Sequence, residues 1–182
     1  MGISHLPFDL RPGGQRGKGT VTYYIALGSN LGDRRRNLQE AWKQIASLGR
    51  DTLLSSLYET EPLYDADQPL FLNAVGSLSA EMHPRVMLAL LHGIEADFGR
   101  DRSSQRRMGP RALDLDILLW GDLRFEVEDL TIPHPRIAER RFVLVPMLEI
   151  APQLRDPRTG EPFAAQLERL GGRGGVYSSG PQ

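Results

Sequence analysis

Apolar residues follow two spacings along the chain, one near 2 and one near 3.6 residues. Val21-Thr-Tyr-Tyr-Ile-Ala-Leu27 is rich in β-branched and aromatic residues and predicts a strand. Gly28-Ser-Asn-Leu-Gly-Asp33 reads as a turn, with Asp33 placed to cap a helix. Leu38, Trp42, Ile45 and Leu48 then recur at helical spacing, and Gly49 is expected to close that helix. Strands are predicted over 53–58 and 71–78, separated by a polar loop over 59–69 with two prolines. Pro84 suits a first helical turn, with Val86, Leu90, Leu91, Ile94 and Phe98 as the apolar face and Gly99 as the end. A second long loop covers 100–111, and an apolar strand interrupted by two aspartates covers 112–120. A short hairpin strand within 121–132, a rigid turn at Ile132-Pro-His-Pro-Arg136, a partial helix over 142–150 and a short helix over 164–170 complete the pattern. Strand, helix, strand, strand, helix, strand is the order of a ferredoxin-like split βαβ core, an α+β fold with helices on one face of an antiparallel sheet. Residues 1–19 and 171–182 are rich in glycine, serine and proline and read as a flexible leader and tail, leaving one domain over 20–170.

Composition narrows the chemistry. The 182 residues suffice for one core. Without cysteine there is no disulfide framework, thiolate metal site or thiol nucleophile. No apolar run reaches the roughly 20 residues that a membrane helix needs, and the first ten residues lack a secretory pattern, so the expectation is a cytoplasmic protein with no membrane partner. Only Lys18 and Lys43 are lysine, so the positive charge is almost all arginine, the planar fork suited to phosphate oxygens.

The sharpest signal is Gly109-Pro-Arg-Ala-Leu-Asp-Leu-Asp-Ile-Leu-Leu119. Strand alternation puts Leu113, Leu115 and Ile117 on one face, with Asp114 and Asp116 on the other. Two carboxylates so close repel unless a cation lies between them, and Mg2+ typically takes one or two carboxylates with substrate phosphates and water. The bland alternative is that both aspartates pair with nearby arginines. Arg100, Arg102, Arg106, Arg107 and Arg111 crowd the loop just before them, where guanidinium forks could hold phosphate oxygens. His134 is held between two prolines with Arg140 and Arg141 close behind, which suits a phosphate contact better than a general base. Gly28-Ser29-Asn30 by itself reads as an ordinary tight turn. Two other classes use similar features. A metal-dependent phosphodiesterase would share the aspartates and cleave without ATP. An RNA-binding module would need exposed aromatics on adjacent strands and a basic surface, against which the net charge of -1 argues.

Taken in order, Ala26-Leu-Gly-Ser-Asn-Leu-Gly32, Ser56-Leu-Tyr-Glu-Thr60, Gln68-Pro-Leu-Phe-Leu-Asn73, Ile94-Glu95 with Gly99-Arg100, the Gly109 to Ile117 run, and Pro133-His-Pro with Arg140-Arg-Phe-Val-Leu-Val-Pro146 resemble the 6-hydroxymethyl-7,8-dihydropterin pyrophosphokinase family of folate biosynthesis. The resemblance implies a single catalytic domain, expected over 20–170, that moves pyrophosphate from ATP to the hydroxymethyl group of the pterin and releases AMP. It implies two Mg2+ on Asp114 and Asp116, and Arg100 and Arg111 as catalytic residues. ATP contacts would fall to Glu95, Arg100, Arg102, Arg111, Ile117, His134 and Arg140. Pterin contacts would fall to Thr60, Leu63, Phe71, Asn73, Asp114 and Phe142. A monomer with small-molecule substrates and no nucleic-acid partner is the matching expectation. The chain departs from many members at Met108, where they carry a pterin-stacking tryptophan, and at Phe71, where they carry tyrosine.

Overall fold

Along Val21–Ser29 (β1), successive side chains alternate between two apolar cores. Tyr23, Ile25 and Leu27 enter one, while Tyr24 and Ala26 pack against the other. The computed structural model describes residues 19–62, 68–99, 109–171 and 175–178. After β1 come Arg34–Ala46 (α1), Arg50–Leu54 (β2), Tyr58–Thr60 (β3), Phe71–Ala80 (β4), Pro84–Asp97 (α2) and Asp114–Trp120 (β5). Phe125–Val127 (β6) and Leu130–Ile132 (β7) form a separate hairpin. Arg141–Ile150 (α3), Phe163–Leu170 (α4) and Val176–Ser178 (β8) follow. The sheet runs β5-β1-β4-β3-β8, with β2 also on β4, and every pair is antiparallel.

This is the expected α+β arrangement, with one correction: helices cover both faces. Leu38, Ala41 and Ile45 of α1 and Met87, Leu91 and Ile94 of α2 share the first core with Leu115 and Ile117. Val143, Leu144 and Met147 of α3 and Phe163 of α4 close the second over Val75, Leu118 and Leu119. Tyr23 is therefore buried, and the aromatic platform required by an RNA-binding sheet is covered.

Several local expectations change. The buried stripe of α2 runs through Met87, Leu91 and Ile94, whereas Val86 and Leu90 face outward, displaced by one residue around the helix. Asp33 caps α1 as expected, accepting the Arg36 N–H at 3.1 Å. Gly49, however, does not close it: Ser47 is the cap. A Cβ on Gly49 would lie 2.5 Å from the Ser79 carbonyl oxygen, so glycine there permits close approach to β4. The strand expected over 53–58 divides because Ser55 bonds Val75 through both its backbone N–H and its hydroxyl, which interrupts the regular ladder. After α4 the chain supplies β8 to the free edge of β3, an element with no sequence signal.

A carboxylate fastens α3 to this divided strand. Glu149 accepts the Ser56 N–H at 3.0 Å, the Ser56 hydroxyl at 2.8 Å and the Tyr58 hydroxyl at 2.8 Å. Burial pushes the Glu149 pKa up, but these three donors outweigh it and hold the value below the ordinary 4.5. A carboxyl depressed on folding contributes stability that is present above its unfolded pKa and lost as pH falls through its folded one. Glu149→Gln is expected to flatten the acid limb of the stability curve below about pH 4.5. Urea midpoints between pH 3 and 7 test this; parallel curves for the two proteins would remove Glu149 from the acid response.

Candidate active site

The second face of the sheet is apolar under α3 and polar beyond its first turn. Gly28 marks the centre of that polar end. It pairs with Asp114 on one side and Asn73 on the other. A Cβ on Gly28 would sit 3.0 Å from Asn73 Oδ1 and 3.9 Å from both Asp114 Cβ and a Phe71 ring carbon. Glycine thus leaves a bare floor between the aspartate strand and the expected pterin residues. Thr60 pairs with Phe71, and its hydroxyl accepts a 2.7 Å bond from Asn73 Nδ2. Asp116, Asp114, Gly28, Asn73, Phe71 and Thr60 consequently form one continuous strip across four strands.

Both aspartates meet positive charge. Arg111 Nη1 lies 3.1 Å from Asp114 Oδ1, and Arg140 Nη1 lies 3.5 Å from Asp116 Oδ2. The ion pairing of the bland alternative is therefore present, yet the side chains of Asp114 and Asp116 remain 26 % and 39 % exposed and accessible to a further cation. Arg111 Nε and Arg140 Nε are buried and have no hydrogen-bond partner among the described residues. Arg140 enters from the start of α3, its guanidinium carbon 5.8 Å from the Phe142 ring centre. Phe142 is half-buried against the second core.

His134 reaches the same strip through an irregularity in β5. Tyr24 pairs with Leu119 and Ile25 with Ile117, so Leu118 is an extra residue, a β-bulge. Its carbonyl receives the His134 N–H at 2.9 Å. His134 Nδ1 accepts the Arg136 N–H at 3.1 Å, which leaves Nε2 as the protonated nitrogen, 4.0 Å from Asp116 Oδ2. Burial, joined by the charges of Arg140, Arg136 and Arg158, lowers the His134 pKa despite the opposing pull of Asp116. The ring is a neutral N–H donor at pH 7.

Two of the expected ligand contacts sit deeper in the fold than the rest of the strip. Glu95 is fully buried beneath β5 and accepts the Leu115 N–H at 2.8 Å, so it holds the edge of the aspartate strand. Ile117 directs its side chain into the first core, on the face opposite Asp116, which leaves only its main chain for a ligand. Leu63, Arg100, Arg102 and Met108 lie outside the described residues.

Other residues organise the site without a clear sequence signal. Asn30 is buried and exchanges two bonds with Arg111: its N–H donates to the Arg111 carbonyl at 3.0 Å and its Oδ1 accepts the Arg111 N–H at 2.7 Å. Its Nδ2 also donates to Gln68 Oε1 and the Pro69 carbonyl. Arg34 bonds the Leu70 carbonyl and Glu59. Asn37 Nδ2 joins the Leu31 carbonyl to that of Ala112. The ends of both long loops are thereby anchored to the turn after β1.

Comparison with known proteins points to one family. Residues 24–152 match the family model described as 7,8-dihydro-6-hydroxymethylpterin-pyrophosphokinase (HPPK). The 2-amino-4-hydroxy-6-hydroxymethyldihydropteridine pyrophosphokinase of Haemophilus influenzae is 45 % identical over 141 residues, covering 76 % of this chain and 87 % of that protein. The folic acid synthesis protein fol1 of Schizosaccharomyces pombe is 41 % identical over 159 residues, which is 86 % of this chain. The chain spans 21 % of that longer relative. A crystal structure of Plasmodium falciparum HPPK-DHPS superposes with a TM-score of 0.66 at 14 % identity, over 85 % of this chain and 45 % of that one, a likeness of fold. With strands β2 to β5, both aspartates and the His134 turn inside the matched span, the chain belongs to the 7,8-dihydro-6-hydroxymethylpterin-pyrophosphokinase family.

Proposed function

We propose that this chain transfers the pyrophosphoryl group of ATP to the hydroxymethyl oxygen of 6-hydroxymethyl-7,8-dihydropterin. The observation that carries the reading is the continuous strip from Asp116 to Thr60, with charged groups for a triphosphate at one end and an amide and a ring for a pterin at the other. In the reaction the hydroxymethyl oxygen attacks the β-phosphorus, and the bond from that phosphorus to the α,β-bridging oxygen breaks. AMP departs with the bridging oxygen, and the hydroxyl proton passes to solvent. Catalysis of this kind rests on positioning and charge stabilisation.

Asn73, Thr60 and Phe71 would take the amide edge and one face of the pterin, with Phe142 closing from α3. Leu63 belongs with them in the same reading. Arg111 and Arg140, each with one guanidinium edge already beside a carboxylate, would hold phosphate oxygens with the others, and His134 Nε2–H would add a neutral donor. Arg100 and Arg102 would complete the cationic side from the second loop. The main chain of Ile117, on the edge strand β5, would meet the adenine, while Glu95 holds the Leu115 N–H of the same strand. Among the described residues no group of three or more His, Asp or Glu side chains could hold a metal. The donor set is two carboxylates, which fits Mg2+ that draws its remaining ligands from phosphates and water. Two bound Mg2+ would neutralise charge on the triphosphate. Asp114 and Asp116 would be their protein ligands.

Incubation with ATP, Mg2+ and the pterin should release AMP only when all three are present. ADP in place of AMP would make the chain a simple kinase. Asp116→Ala should lower kcat at least about 100-fold with little change in melting temperature, because the side chain is partly exposed. A near-normal rate in that variant would contradict the metal assignment. Gly28→Ala should raise the pterin KM on the order of tenfold by pressing a methyl group on Asn73, with a smaller effect on ATP. Equal effects on both substrates would show that the Gly28 floor serves the fold rather than the pterin.

A further inference from the structure

The matched family span ends at residue 152, and the segment that follows is bonded to the back of the His134 turn. Asp156 is 2 % exposed and takes a two-pronged bond from Arg158, Nε to Oδ1 at 3.0 Å and Nη2 to Oδ2 at 2.7 Å, as well as the Arg158 N–H at 2.8 Å. This fork fixes the plane of the guanidinium. The remaining prong, Nη1, points away from its own loop and donates to the Pro135 carbonyl at 3.3 Å. Arg124 secures the loop from another side, with bonds to the Pro157 and Arg158 carbonyls at 2.6 and 2.8 Å from Nη2. The turn carrying His134 is therefore held at two points: Leu118 takes its N–H in front, and Arg158 takes the next residue's carbonyl behind.

We propose that Arg158, locked by the buried carboxylate of Asp156, is a positioning residue that aims His134 toward the phosphates of ATP. This rests on the reading of His134 as a nucleotide contact. If Arg158 only stabilised its own loop, the Asp156 pair would suffice. The bond to Pro135 spans 23 residues of sequence and leaves the loop for the site. Lysine cannot replace it, because one ammonium cannot fill both carboxylate positions and the carbonyl at once.

The test compares wild type with Arg158→Ala, Arg158→Lys and Asp156→Asn by two readouts. The first is the NMR signal of the His134 ring, assigned by its loss in His134→Gln. The second is a pair of KM values, one for ATP and one for the pterin. All three variants should shift the His134 signal and raise the ATP KM on the order of tenfold, while kcat and the pterin KM stay within about twofold. A folded Arg158→Lys protein with the wild-type His134 signal and ATP KM overturns the proposal. Equal rises in both KM values, accompanied by a lower melting temperature, overturn it as well and make Arg158 a structural residue. Should Arg158→Ala fail to fold, the other two variants decide. Should wild type form no AMP, the proposed reaction is at fault, and the His134 signal still judges the brace.

Discussion

Two carboxylates on one face of a strand, two residues apart, repel each other, and much of the molecule is arranged around that repulsion. Arg111 answers Asp114 and Arg140 answers Asp116, with His134 beside them. None of these partners comes from β5 itself. Arg111 is fixed by the turn after β1, Arg140 by the start of α3, and His134 by the turn after β7. The aspartates meet these partners only while three separate parts of the chain are assembled. Conversely, those parts carry cations that need an anion. The buried Nε–H groups of Arg111 and Arg140 have no partner within the described residues, so the local balance favours additional negative charge.

The features legible in the sequence were those with a short period or a single residue type. Alternation in β1, β4 and β5 and helical spacing in α1 placed the framework, and Asp114, Asp116, Arg111, Arg140 and His134 do converge. What failed to show depends on contacts distant in sequence. The exposed flank of α2 has apolar residues that spacing alone cannot distinguish from its buried stripe. β8 is a three-residue strand that pairs with the edge of β3, more than 110 residues earlier in the chain. Glu95 is buried and accepts the Leu115 N–H, a contact across 20 residues that no local pattern reveals.

Asn30 illustrates the same limit within the site. As part of Gly28-Ser29-Asn30 it reads as a turn residue, which it is. Its side chain also binds the ends of both long loops, because the last residues of each, Gln68 with Pro69 and Arg111, arrive at one point. A motion that moved one loop end would have to break bonds shared with the other. The two loop ends are thus tied together through a single amide.

The bulge at Leu118 has a consequence for how this fold tolerates change. An unbroken strand has one phase: whichever residues face the ligand at one end dictate which face the core at the other. With an extra residue in the middle, Leu118 and Leu119 both serve the second core, and Trp120 returns to the first, stacked near Tyr23. The two halves of β5 are set independently. Substitutions that tune the chemistry around Asp114 and Asp116 need not be compatible with the packing of Trp120. The strand behaves as two joined modules whose sequences can drift separately, provided the one-residue spacer between them is neither lost nor doubled.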